Sequence, residues 1–144
     1  MKSFTLLEIL IIIGIIAILI SLTLPLSLDF YRSQQLETHS QGIIQTLRQA
    51  QLKAMAQEAD SSFGVYLTDE SYILFKGNSY FTRDPQYDEI FDLPIVINVG
   101  GLSEILFSKL SGSPSVTGSI IIGSGEGEQR IITINQAGRI NLEH

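Results

Sequence analysis

No cysteine occurs among the 144 residues. Disulfides, thiolate metal sites and thiol nucleophiles are excluded together, and the fold must stand on its apolar core. Histidine is nearly as scarce: His39 lies in a helical stretch and His144 is the last residue. Neither stands in a motif with a nucleophile, and the serines are spread through turns, so no catalytic constellation is expected. The chain reads as a non-enzyme that needs no cofactor. Positive charge is also short, with 9 lysines and arginines against 15 acids and a formal net charge of −6. Residues 1–28 hold one base, Lys2, and one acid, Glu8, which cancel. The excess acid therefore falls on the remainder, whose bases are scattered singly. Such a surface repels polyanions, and nucleic-acid binding is disfavoured.

What the chain has in quantity is apolar side chain, concentrated in one place. Ile9 to Leu28 is a run of twenty residues without a charge, nearly half of them isoleucine. As a helix it would span roughly 30 Å, the thickness of a hydrocarbon core. The run reads as a transmembrane segment, with Lys2 placing the N-terminus in the cytoplasm. A cleaved secretory signal fits poorly, because the run is too long and no A-x-A-like site follows. A plain signal anchor fits better, yet it has no use for two of the residues. Glu8 stands at the hydrocarbon edge, where a carboxylate is costly without a cation. Pro25 removes one helix hydrogen bond and is expected to kink the axis near Ser21.

These residues carry a resemblance. Ser3-Phe4-Thr5-Leu6-Leu7-Glu8 before an isoleucine-rich span resembles the class III signal of type IV pilins and type II secretion pseudopilins. The resemblance implies that a prepilin peptidase cuts between Ser3 and Phe4 and that the new Phe4 amine is methylated. It also implies an assembly role for Glu8 and a helix-kinking role for Pro25. The implied partners are other pilin or pseudopilin subunits, the prepilin peptidase, an inner-membrane assembly platform with its cytoplasmic ATPase, and membrane lipid before assembly. An ionised Glu8 would offset the cationic Phe4 amine of a neighbouring subunit and so fix axial stagger. The alternative is that Glu8 snorkels to the headgroups.

The helix is not expected to stop at Leu28. Residues 36–59 contain no proline, and Leu36, Ile43, Leu47, Ala50 and Ala54 recur at three- and four-residue spacing. Phe4 to about Ala59 reads as one helix, ended by Asp60-Ser61-Ser62. Its first half, residues 4–28, is hydrophobic all round, and residues 29–62 form an amphipathic half. After residue 62 the period changes to that of strands. Phe63–Thr68 and Ser71–Lys76 read as a hairpin around Asp69-Glu70, with a possible third strand at Ser79–Thr82. Residues 83–94 read as a loop, Ile95–Val99 as a strand ending at Gly100-Gly101, and Glu104–Phe107 as another. Ser119–Ile122 pairs with Arg130–Asn135, and Arg139–Leu142 comes last. The predicted fold is α+β, a long N-terminal helix packed on an antiparallel β-sheet head at residues 63–144.

A second resemblance narrows the family. Leu47-Arg48-Gln49-Ala50, then Phe107, Gly112 and Gly118 before an isoleucine strand, are similar to GspH/FimT-type pseudopilins. So is the ending Ile132-Thr133-Ile134 with Gly138-Arg139-Ile140. The implied function is a minor subunit of a type II secretion or type IV pilus-like filament, made after residues 1–3 are removed as a leader. The implied location is the inner membrane, single-pass with the head outside the cytoplasm, and then a filament in the periplasm or at the cell surface. Alternatives are a main shaft pilin, or a single-pass membrane-anchored binding protein or enzyme.

Three further places in the sequence carry candidate site residues. Asp84, Asp88, Glu89 and Asp92 offer oxygen ligands for calcium, although EF-hand spacing is absent, so a solvated acidic loop is the simpler reading. Gly123-Ser124-Gly125-Glu126-Gly127 lacks the third glycine of a phosphate-cradling loop, where Glu128 stands, and reads as a hairpin tip. Arg139 has no second arginine beside it in sequence, and reads as a salt-bridge or strand-edge charge. Leu142-Glu143-His144 could be the remnant of an expression tag.

Overall fold

The computed structural model describes residues 5–125 and 127–143, apart from the side chains of residues 22–27. Two compact units are distinguished, Met1–Gln34 and Gln35–His144. The architecture is α+β, one long helix followed by antiparallel strands. Helix α1 runs from Leu6 to Met55. It starts two residues later than the sequence suggests, because Thr5 acts as its N-cap. The Thr5 hydroxyl accepts from the Glu8 amide at 3.3 Å, and the Thr5 carbonyl accepts from Glu8 and Ile9. Threonine followed three residues on by glutamate is the sequence form of a capping box. The helix also ends earlier than Ala59, since Gln57 turns left-handed at φ 55° and a separate 3₁₀ turn covers Glu58–Asp60. The Ala54 carbonyl accepts from the Gln57 amide at 3.2 Å and from the Leu110 amide at 3.1 Å, so a loop of the head helps to close the helix end.

In the first unit, the described side chains from Ile9 to Ile20 are exposed at every azimuth, Ile12 least at 44%. In the second unit the helix has a single buried stripe. Leu36, Ile43, Leu47, Ala50 and Ala54 are all fully buried, as their spacing predicts. Ile44, Ser40 and Thr46 join them. Ser40 satisfies its hydroxyl by donating to the Leu36 carbonyl at 2.6 Å, which is how a polar residue can sit on that stripe.

Eight strands occur among the described residues: β1 Phe63–Leu67, β2 Ser71–Lys76, β3 Glu89–Asp92, β4 Ile97–Gly101, β5 Glu104–Phe107, β6 Gly118–Ser124, β7 Glu128–Ile134 and β8 Ile140–Glu143. They make two four-stranded antiparallel sheets, ordered β3-β2-β1-β5 and β4-β6-β7-β8. The chain leaves the second sheet after β4 and enters the first at β5. Across that step the Leu67 amide bonds the Ser103 carbonyl, and the Leu102 amide bonds the Ser119 carbonyl. Phe63, Val65, Leu67, Leu74 and Ile105 from the first sheet share the core with Ile97, Ile120, Ile122, Ile132, Ile134 and Ile140 from the second. Helix residues complete the same cluster.

The segment after β2 departs from the sequence reading. Ser79–Thr82 is no strand, because Tyr80–Thr82 form a 3₁₀ turn. Residues 83–94 are no plain loop either, since Pro85–Tyr87 make another 3₁₀ turn and Glu89–Asp92 pair with β2. The reason is tertiary. The Tyr80 ring stacks on Tyr66 with centroids 4.0 Å apart and meets Phe75 edge-on at 5.8 Å. Arg83 lies 3.8 Å over the other side of Tyr80. This segment therefore covers the face of the first sheet that points away from the core, which explains why β2 is buried on both sides.

Candidate functional site

The residues singled out at the N-terminus are partly in view. Ser3 and Phe4, the implied cleavage and methylation positions, lie outside the described residues, and so does the Pro25 side chain. Glu8 is described. It is exposed and sits in the first turn of α1, where a carboxylate is favoured by the helix dipole by roughly 0.3–1 kcal/mol. Among the described residues no helix is long and apolar enough to cross a membrane. Residues 22–27, the later part of the uncharged run, fall outside the described side chains.

The four acids that offer oxygen ligands, Asp84, Asp88, Glu89 and Asp92, are put to different uses. Asp84 caps the Pro85–Tyr87 turn by accepting from the Gln86 amide. Asp88 pairs with the Arg83 guanidinium at 2.8 Å, which raises the arginine further above its ordinary value. Glu89 pairs with Lys53 of the helix at 2.7 Å and accepts from Gln49 at 3.2 Å. Asp92 stands opposite Ser71 at the end of β3. No group of three metal-ligating side chains forms among the described residues. The acidic segment is thus a set of separate contacts that dock β3 and its turns, and the calcium alternative has no cluster to rest on. His39 bonds Gln35 at 3.2 Å, and burial pushes its ring below the ordinary histidine value. His144 lies outside the described residues.

Two of the three glycines of the second resemblance, Gly112 and Gly138, come together. Gly112 and Gly138 both have positive φ, 62° and 75°, and both present their carbonyls to one helix side chain. Gln51 Nε2 donates to Gly112 O at 3.0 Å and to Gly138 O at 3.1 Å. A Cβ at Gly138 would strike that nitrogen, and one at Gly112 would lie 2.6 Å from Met55 Cγ. Two left-handed turns, one between β5 and β6 and the other between β7 and β8, are thus fastened to the helix by a single amide. Gln51→Leu is expected to leave both carbonyls short of a donor and to lower stability by about 1–2 kcal/mol. Amide exchange should quicken around Gly112 and Gly138 before it does in β1 and β2. Uniform exchange across the head in that variant would contradict this role.

Next to Gln51 an open groove of about 390 Å³ is lined by Arg48, Gln51, Leu52, Gly138, Arg139, Ile140 and Asn141. Arg139, read from sequence as a solitary charge, shares this groove with Arg48. No short-range sequence signal links the two, because only the packing of α1 against β8 brings them together. In comparison with protein-family models, curated proteins and solved structures, no match to the chain is found.

Proposed function

We propose that the chain is a filament subunit of the type IV pilin kind, held in the membrane by its N-terminal helix until assembly. The finer reading is a minor pseudopilin similar to the GspH/FimT type, cut between Ser3 and Phe4 by a prepilin peptidase. The observation that carries the reading is the first half of α1. Ten large aliphatic side chains between Ile9 and Ile20 stand exposed on every side of a helix. Covering them in lipid or against like helices would recover on the order of 10 kcal/mol, comparable with the stability of a whole domain. A chain with that much uncovered apolar surface has a second solvent or a partner. Moving from lipid into a bundle of similar helices keeps the surface buried in both states, so extraction by an ATPase-driven platform is close to balanced.

The supporting residues are Glu8 at the start of the run and a head fastened to the amphipathic half by Gln51 and by the Lys53–Glu89 pair. The test is the intact mass and N-terminal sequence of the membrane-extracted protein, made with and without a prepilin peptidase. The expected product begins at Phe4 and carries one methyl group on its amine. A chain that still begins at Met1 under both conditions, beside a control substrate that is cut, would overturn the reading in favour of a plain anchor.

A further inference from the structure

Nearly every described cation of the head is engaged. Lys53 pairs with Glu89, Arg83 with Asp88, Lys109 with Asp60, and Arg130 with Glu37 and Glu128. Lys76 lies 4.0 Å over the Tyr87 ring. Arg48 and Arg139 differ: no acid or ring partners either one among the described residues, both are exposed, and both line the groove beside Gln51. Two like charges held in one cleft raise each other's energy unless an anion joins them. In a chain with a net charge of −6 acids are plentiful, yet no described acid is placed there. The groove has a second property. Its far wall is the start of β8, the last strand of its sheet, so no strand pairs with the other side of β8 among the described residues. Leu52, 65% exposed, adds an apolar surface to the helix wall.

We propose that this groove receives an extended acidic segment of another protein chain. The segment lies along the free edge of β8, with carboxylates on Arg48 and Arg139 and an apolar side chain on Leu52. Main-chain hydrogen bonds to an open edge supply affinity without regard to sequence, and flanking side chains supply the choice of partner. Guanidinium forks suit carboxylates bidentately. A nucleic acid fits less well. Two cations neutralise about two phosphates, which leaves little counterion release to overcome a chain of the same sign. The inference uses residues 48–143 only, and stands whether or not the N-terminal helix enters a filament.

The test uses the full chain in detergent micelles and a dye-labelled, end-blocked peptide Val-Glu-Val-Glu-Val, with Val-Gln-Val-Gln-Val and a short single-stranded DNA as comparisons. In fluorescence anisotropy the glutamate peptide is expected to bind about tenfold more tightly than the glutamine peptide. Arg48→Gln and Arg139→Gln should each weaken it about tenfold, with unchanged near-ultraviolet circular dichroism because both side chains are exposed. Lys109→Gln, at a cation already paired with Asp60, should leave binding as it was. Equal binding of the two peptides, indifference to both arginine variants, or no binding at about 1 mM would each overturn the proposal. Tighter binding of the DNA, lost in the same two variants, would overturn it in favour of a nucleic-acid groove.

Discussion

Gly64→Ala is expected to lower the thermal midpoint of the head by about 10 °C, the equivalent of some 2–3 kcal/mol of overpacking. Gly64 lies in β1 between Phe75 of β2 and Leu106 of β5. A Cβ there would stand 2.6 Å from Phe75 Cζ and 2.8 Å from the Ile105 carbonyl oxygen. The first neighbour is a fully buried ring held edge-on by Tyr80, and the second is backbone of the adjacent strand. Neither can withdraw without loosening the aromatic layer or the β1–β5 ladder. Gly100 gives the comparison, since nothing lies within 4 Å of its would-be Cβ. Gly100→Ala should move the midpoint by no more than about 2 °C. Adding Phe75→Leu to Gly64→Ala should cost less than the sum of the two single changes, because the ring and the methyl compete for one space. Near-ultraviolet circular dichroism melts of the four variants decide it. Strict additivity would mean that the alanine acts through something other than Phe75.

The same aromatic layer shows where sequence reading reaches its limit. The helix stripe of Leu36, Ile43, Leu47, Ala50 and Ala54 was legible because burial on a helix imposes a period that needs no knowledge of the partner. The β1–β2 hairpin was legible for a similar local reason. Thr68 bonds back to the Ser71 amide at 3.0 Å, so the turn is specified within its own residues. Residues 79–92 had no such local signal. Their aspartates and proline favour a loop, and only stacking on Tyr66, brought across from β1, turns them into a cover with a short strand at its end. Division into two sheets was hidden for the same kind of reason. β5 pairs with β1 and not with β4, a choice made by shared burial and not by neighbouring sequence. Gly112 and Gly138 could be seen as turns, but their common partner Gln51 stands 87 residues before Gly138. The two arginines of the groove share that difficulty: each reads as an isolated surface charge until α1 and β8 are side by side.

Glu8 has two readings that make opposite forecasts for one conservative change. As the third residue of α1 it completes a capping sequence with Thr5 and meets the positive end of the helix dipole. That local role tolerates glutamine, which serves in a capping box as glutamate does. As an assembly residue it must be charged, because its partner is the cationic amine of a neighbouring subunit in surroundings of low dielectric. Removing one member of a pair so placed costs about 3–5 kcal/mol, since the other charge is left buried alone. Glu8→Gln is therefore expected to leave helix content and membrane extraction unchanged while lowering filament yield at least about 100-fold. Thr5→Ala should do the reverse, fraying the first turn at a cost of about 1 kcal/mol and reducing yield only slightly. Both variants are scored by sheared-filament yield against membrane-retained subunit, with circular dichroism of the extracted protein as the check on the helix. Equal yields from Glu8→Gln and the unaltered chain would reduce Glu8 to a helix cap, and the charge at the edge of the apolar run would no longer distinguish this chain from a simply anchored protein.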